Sequence, residues 1–171
     1  AKSANDAEAL DNNINLGLRT SMIIGVPCSF GLMVIAEPIM LLLFPLQAES
    51  SAISATCLFL LAAGTIFLCI AQTMAGILQG LGKLSASVWG ILAAFAVKCL
   101  LTYVLTGIPE LHVKGAAIAT SAAYLTIAIV NFFAVKRYTG IKFNFNLSVV
   151  KPVAAGLAMS VVVIAVYKLC Y

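Results

Sequence analysis

Small and polar side chains recur along one apolar stretch of the chain at steps of three or four residues. They are Ala62, Thr65, Cys69, Gln72, Gly76, Gln79 and Lys83. Residues with this spacing share one face of an α-helix. A glutamine amide in contact with hydrocarbon costs several kcal/mol, so this face has to meet protein or water. Two interpretations are open at this point, a helix interface with interhelical hydrogen bonds and the lining of a water-filled cavity.

A lysine lies near the middle of the next apolar stretch. Lys98, Thr102 and Thr106 follow one another at i, i+4 and i+8. A lysine at the centre of a membrane helix costs about 2.5 to 3.5 kcal/mol, and such residues mark candidate functional sites. An anionic ligand in a low-dielectric cavity would offset that cost. The alternative is a structural tether to a neighbouring carbonyl or acid.

The following apolar stretch carries a third polar stripe, which includes Tyr124 and Asn131. Three helices with polar stripes predict a water-accessible path for a polar solute. The candidate path residues are Thr65, Gln72, Gln79, Lys98, Thr102, Tyr124 and Asn131.

Residues for catalysis or metal binding are not arranged in any recognisable pattern. The single histidine, His112, lies in a polar link. The segment "GLGK" lacks the preceding strand and the following Ser or Thr of a phosphate-binding loop. Five cysteines lie within apolar runs without CxxC spacing, which favours packing as small hydrophobes. We therefore expect no enzyme activity, no cofactor and no metal site.

The elements that position these residues have to be membrane helices. Hydrophobic residues make up 63% of the chain and charged residues 9%, whereas soluble domains carry roughly 25% charged residues. A membrane-spanning helix needs about 20 apolar residues. The sequence thus predicts an all-α, polytopic transmembrane helix bundle of about five spans, at 18–44, 52–78, 87–108, 115–135 and 152–171.

The polar segments divide these spans into units. Residues 1–17 form an amphipathic lead-in, and a basic and aromatic link at 136–150 separates a four-helix unit, 18–135, from a trailing helix at 151–171. The link is typical of a strip at the surface of anionic lipid.

The charges indicate topology. The net charge is +4, and the basic residues lie mostly on one side of the predicted spans. This distribution indicates an orientation in the membrane and argues against nucleic-acid binding. By the positive-inside rule, the side of Ala1 is cytoplasmic. Lys83, Lys136 and Arg137 are predicted anchors at the inner leaflet. The side of Ala1 carries Lys2, Arg19, Lys83, Lys136, Arg137, Lys142 and Lys151, and the other side only Lys114 and Lys168.

Four residues are expected to bend or end helices. Pro27 and Pro38 remove backbone donors and predict kinks in the first span. Gly80 and Gly82 predict a tight turn after the second span, with an ordinary helix cap as the competing interpretation.

Several segments together resemble a known family. They are "GVPCSFGLMVIAEPIMLLLF", "GILQGLGK", "AAFAVKCLLTYVL" and "VKGAAIATSAAYL". In order and spacing they are similar to the polysaccharide and lipid-linked-oligosaccharide flippases of the stage V sporulation protein B and lipid II flippase type. These belong to the multidrug, oligosaccharidyl-lipid and polysaccharide exporter superfamily. "LSASVWG" departs from the pattern, because many relatives have a proline there.

The resemblance implies a larger transporter with fourteen spans, of which this chain is the ninth to the thirteenth, in the C-terminal lobe. It implies transport of a lipid-linked saccharide or cell-envelope precursor across the bacterial cytoplasmic membrane by alternating access. The implied partners are membrane lipid, that substrate and the missing N-terminal lobe. The alternatives are a drug or small-cation exporter of the same superfamily, a non-transporting membrane scaffold, and a membrane transferase.

Overall fold

The structure, a computed structural model, describes residues 2–45, 48–108 and 112–140, together with 154, 156, 158–160 and 163. Within those ranges the regular structure is helical. The helices are α1 (Lys2–Val34), α2 (Ala36–Leu43), α3 (Ala48–Gly80), α4 (Leu84–Thr106) and α5 (His112–Thr139).

Four helices of the described part are long and apolar enough to cross a membrane. Their apolar portions are Asp11–Val34, Ser50–Gly80, Leu84–Thr106 and Val113–Thr139. The predicted all-α polytopic fold is thus confirmed. Most of the fifth predicted span, 152–171, and the basic link from residue 141 onward lie outside the described residues.

The first span is one long helix followed by a short one. α1 runs without interruption from the predicted lead-in through Pro27, so Pro27 does not break it. The break comes at Ile35, whose amide still donates to Gly31 O at 3.1 Å. Pro38 has no amide hydrogen to donate to Val34 O, so the α1 ladder cannot continue past this point. Pro38 lies instead in the first turn of α2, where a helix needs no donor.

α3 is the central helix. It contacts α1 and α2 on one edge and α5 on the other, and α4 packs mainly against α5. Since each short link reverses the chain, α3 and α5 run parallel while α4 runs antiparallel to both. Only 17% of the α3 span and 11% of the α4 span are buried inside the chain. The remaining surface must be covered by lipid, water or further protein.

Small residues let the helices approach closely. A Cβ atom added to Gly90 of α4 would lie 2.6 Å from Asn131 Oδ1 of α5. A Cβ atom at Gly64 of α3 would lie 2.7 Å from Ser121 Oγ. Such contacts between small residues are how membrane helices pack without a hydrophobic driving force between them.

An apolar cluster closes the end of the bundle near the α3–α4 turn. Leu18 of α1, Met74 and Leu78 of α3 and Val135 of α5 are buried together. This cluster joins three helices at the level where the predicted lead-in enters the first span.

Candidate functional site

The turn between α3 and α4 is a glycine-dependent helix end. Gly82 adopts φ +68°, its amide donates to Gln79 O at 2.9 Å, and the Lys83 amide donates to Leu78 O at 2.9 Å. These two bonds form a Schellman motif, in which glycine is favoured because the left-handed conformation strains residues with a Cβ. Gly80 is the last residue of α3 and is not among the glycines with positive φ. The turn role is therefore carried by Gly82.

Cations surround this turn. Lys83 Nζ lies 5.6 Å from the ring centroid of Tyr138, a distance suited to a cation–π contact. Lys136 and Arg137 occupy the last turn of α5, where positive charge complements the helix dipole. All three predicted anchors are exposed at this end of the bundle.

The α3 stripe reaches the α1 edge at Ala62, and its glutamines lie between the two edges through which α3 contacts its neighbours. On one side, Ala62 O accepts a hydrogen bond from Ser29 of α1. On the other, Ala71 O accepts one from Asn131 of α5 at 3.3 Å. Gln72 and Gln79, seven residues apart and hence on one face, are exposed between these edges.

Thr65 continues the same stripe toward the membrane centre. Its hydroxyl donates to Leu61 O at 3.0 Å, so it is satisfied within its own helix. The two glutamine side chains make no hydrogen bond within the described part of the chain. Gln72 and Gln79 are therefore the polar side chains of this stripe that still need hydrogen-bond partners.

Lys98 is exposed on α4. The surface of α4 that packs against α5 is a different one, and its buried residues are Ser87, Gly90 and Ala94. Gly90 meets α5 at Asn131, whose side chain also reaches α3, so α4 lies on the same side of the α3–α5 pair as the glutamines. Lys98 follows Ala94 by four residues, so it lies beside this packed surface on that same side of the α3–α5 pair.

Interhelical contacts also fix the depth of Lys98. α4 and α5 meet at Gly90 with Asn131 and again where Gly115 approaches Leu105, which places Lys98 level with the segment 122–123 of α5. Asn131 contacts Ala71 and Ser121 contacts Leu60, which places Thr65 level with residue 125. Lys98, Thr65 and Tyr124 therefore lie within about one helical turn, roughly 5 Å, of a common depth.

The remaining predicted path residues differ in burial. Tyr124 and Thr102 are half-buried. Asn131 is 0% exposed. Its Nδ2 donates to Ala71 O, and its Oδ1 has no hydrogen-bond partner among the described residues. Asn131 is thus an interhelical contact in this structure, and its role in a solute path stays a prediction.

One side of the bundle is accordingly polar. We call it the polar face and define it by Thr65, Gln72, Gln79, Lys98, Thr102 and Tyr124. The opposite side of the α3–α5 pair is an apolar groove of about 230 Å³, lined by Phe67, Ile70, Leu125, Ala128, Ile129, Phe132 and Phe133.

This groove was not predicted from the sequence. The signal for it was present, since Leu125, Ile129 and Phe133 recur at i, i+4 and i+8. Periodicity alone, however, cannot show that the face borders Phe67 and Ile70 of α3.

Metal-binding groups do not cluster in the described part of the chain. No three His, Cys, Asp or Glu residues there lie close enough to hold an ion. The four described cysteines are free.

The comparisons with known proteins point to one family. The family model described as "Lipid II flippase MurJ" matches residues 1–170. The chain is similar to the "Uncharacterized membrane protein YabM" of Bacillus subtilis (strain 168), with 24% identity over 164 residues, 96% of this chain and 29% of that protein. The chain thus spans less than a third of this relative's length. No solved structure gives a significant match.

The family match covers nearly the whole chain, and the helical architecture agrees with it. Four membrane-length helices lie in the described ranges. This chain therefore belongs to the lipid II flippase family.

Proposed function

We propose that the protein containing this chain moves a lipid-linked saccharide, or a related cell-envelope precursor, from the inner to the outer leaflet of the bacterial cytoplasmic membrane by alternating access. The chain would form part of the C-terminal lobe, and the missing N-terminal lobe would cover the polar face. The Ala1 end would be cytoplasmic. The role is transport and not catalysis.

The observation that carries this proposal is the polar face. Gln72, Gln79 and Lys98 are exposed on one side of the helices that the sequence places inside the membrane. Hydrocarbon is an unfavourable neighbour for such groups. A water-filled space between two lobes would solvate them and give a polar head group a route past the bilayer centre.

Lys98 would provide the positive charge in this space. It lies at the same depth as Thr65 and Tyr124, far from either membrane surface. A phosphate-containing head group entering the low-dielectric space would be attracted to a fixed cation there. The lipid tail would stay in the bilayer while the head group passes.

Thiol labelling of the full-length protein tests whether the polar face is wet. In a variant without native cysteines, single cysteines are introduced as Gln72→Cys and Thr102→Cys on the polar face. The matched control is Ile129→Cys. The native Ile129 side chain is 46% exposed and lies in the apolar groove. A membrane-impermeant maleimide should label the first two and leave the third unmodified.

The opposite result has a clear meaning. If neither Gln72→Cys nor Thr102→Cys reacts in folded protein, the polar face is sealed against other helices, as in a scaffold. A labelled face combined with no outer-leaflet exposure of any lipid-linked saccharide in proteoliposomes would contradict the transport proposal itself.

A further inference from the structure

We propose that the apolar groove, together with Lys136, binds one anionic glycerophospholipid of the inner leaflet. An acyl chain would lie in the groove and the phosphate would meet the lysine. This site lies on the side of the α3–α5 pair opposite the polar face. The inference therefore does not depend on the proposed transport function.

The shape of the groove fits a single hydrocarbon chain. Its volume is about 230 Å³, and its lining is apolar throughout. From Leu125 to Phe133 it extends over eight residue steps of α5, or roughly 12 Å at a rise of 1.5 Å per residue. One leaflet of the hydrocarbon core is about 15 Å thick, so the groove lies within the depth of one leaflet.

The aromatic side chains give the groove firm walls. Phe132 and Phe133 pack edge to face, with ring centroids 6.2 Å apart. Phe67 and Ile70 of α3 form the facing wall. An acyl chain is flexible enough to follow such an irregular channel. Its transfer from the bilayer into the groove costs little free energy, because both surroundings are apolar.

Charge identifies the lipid as anionic. Lys136 follows Phe132 by four residues and Phe133 by three, so it lies on the same face of α5, one turn nearer the cytoplasmic end. It is exposed, as is Arg19 of α1. Arg19 is adjacent to Leu18, which packs in the same cluster as Val135, the residue before Lys136. Lys136 thus lies near the cytoplasmic end of the groove, where an inner-leaflet phosphate would be, and Arg19 lies at the same end of the bundle.

The substrate's own tail is a poorer occupant. A lipid-linked saccharide whose head group lies on the polar face would have to pass its tail around α3 or α5 to reach the groove. A glycerophospholipid approaches the groove directly from the surrounding bilayer.

Native mass spectrometry of the full-length protein tests the site. The protein is purified in mild detergent and titrated with dioleoylphosphatidylglycerol, with dioleoylphosphatidylcholine as the zwitterionic comparison. Lys136→Gln should weaken binding of the first bound phosphatidylglycerol by roughly five-fold, the factor expected for one lysine near an anionic phosphate. Lys136→Arg should retain it.

Two controls separate the site from general surface charge. Arg137→Gln removes an equal charge from the next position of α5, on a different face, and should leave the first binding event unchanged. Ile129→Trp should fill the groove and weaken binding while all cations remain.

Three outcomes would overturn the proposal. They are an equal loss in Lys136→Gln and Arg137→Gln, an unchanged affinity in Ile129→Trp, and equal binding of phosphatidylcholine by the native protein. An equal loss in the two charge variants would mean that Lys136 acts only through general electrostatics at the membrane surface. An unchanged affinity in Ile129→Trp would mean that no acyl chain lies in the groove, and equal binding of phosphatidylcholine would mean that the site does not select anionic lipid.

Discussion

At the scale of the residue, Lys98 is the group whose environment most needs an explanation. It lies in the interior of a 23-residue helix and is exposed on the polar face. Glu37 lies in the short helix α2, at the other end of the bundle from the α3–α4 turn. That position is offset in depth from Lys98, which makes Glu37 a poor partner.

Replacing Lys98 should impair transport without loss of folded protein. A charge-assisted hydrogen bond contributes about 1.5 to 3 kcal/mol, so Lys98→Ala should lower head-group translocation roughly ten-fold or more, while Lys98→Arg keeps part of it. The measurement is head-group exposure in proteoliposomes, normalised to the protein incorporated. Normal transport by Lys98→Ala would exclude the cavity role, and failure of the variant to accumulate would identify a structural tether.

Gly90 should be intolerant of a side chain. A Cβ atom there would lie 2.6 Å from Asn131 Oδ1, and crowding of a packed interface costs about 1 to 3 kcal/mol. Gly76, also within a helix, has no heavy atom of the described residues within 4 Å of the corresponding position. Gly76→Ala should therefore be neutral or slightly stabilising, since alanine favours a helix by about 1 kcal/mol over glycine. Thermal unfolding of the full-length protein in detergent compares the two variants, and equal midpoints would contradict the packing described for Gly90.

These residues also show how far sequence reasoning reaches. The spacing of Gln72 and Gln79 predicts a shared face, and the structure places both on one. The spacing of Asn131 from Tyr124 likewise predicts a shared face, but periodicity cannot show whether that face borders a neighbouring helix or open space. The answer depends on Gly90, 41 positions away in the sequence, and only packing brings the two together.

At the scale of the element, the α3–α4 turn depends on one glycine and not on the other. Gly82→Ala should destabilise the protein by about 1 kcal/mol, because its φ of +68° is unfavourable for alanine. Gly80→Ala places alanine in the last turn of a helix with nothing within 4 Å and should not destabilise it. The pair is compared by unfolding in detergent, and a larger loss in Gly80→Ala would contradict the Schellman geometry.

Prolines illustrate the limit of prediction at this scale. Pro27 and Pro38 both predict a kink, and the helix ends only before Pro38, while a bend of α1 at Pro27 stays a prediction. In α1 the chain stays helical through Pro27, with Val26 and Ser29 on either side of it buried. Packing against the neighbouring helices favours a continuous helix there. Sequence shows the missing donor but not whether packing compensates for it.

At the scale of the whole molecule, the chain corresponds to 29% of the length of its Bacillus relative. No more than a third of the residues in each apolar span is buried within the chain. The family, the helical class and the membrane location were predicted from composition and motifs. The division into a polar face and an apolar groove required the packing order of the helices.

The predicted orientation can be measured at two positions near opposite ends of α4. Ser85 is exposed beside the α3–α4 turn and Ile108 is 42% exposed beyond the far end. In the cysteine-free full-length protein, Ser85→Cys should react with an impermeant maleimide only from the cytoplasmic side and Ile108→Cys only from outside, because the positive-inside rule predicts that the cation-rich side is cytoplasmic. The reversed pattern would contradict the assignment of the Ala1 end.

The interhelical hydrogen bonds described above all end on the backbone of α3. Ser29 donates to Ala62 O, Ser121 to Leu60 O at 2.9 Å and Asn131 to Ala71 O at 3.3 Å. A carbonyl is supplied by any residue, so these links do not constrain which side chains α3 carries on its polar face. The central helix can therefore exchange the residues of its polar face while its attachment to both neighbours persists. Adaptation to a new solute in such a transporter would then proceed through α3 at little cost in folding, whereas the donors on α1 and α5 would be held by the architecture.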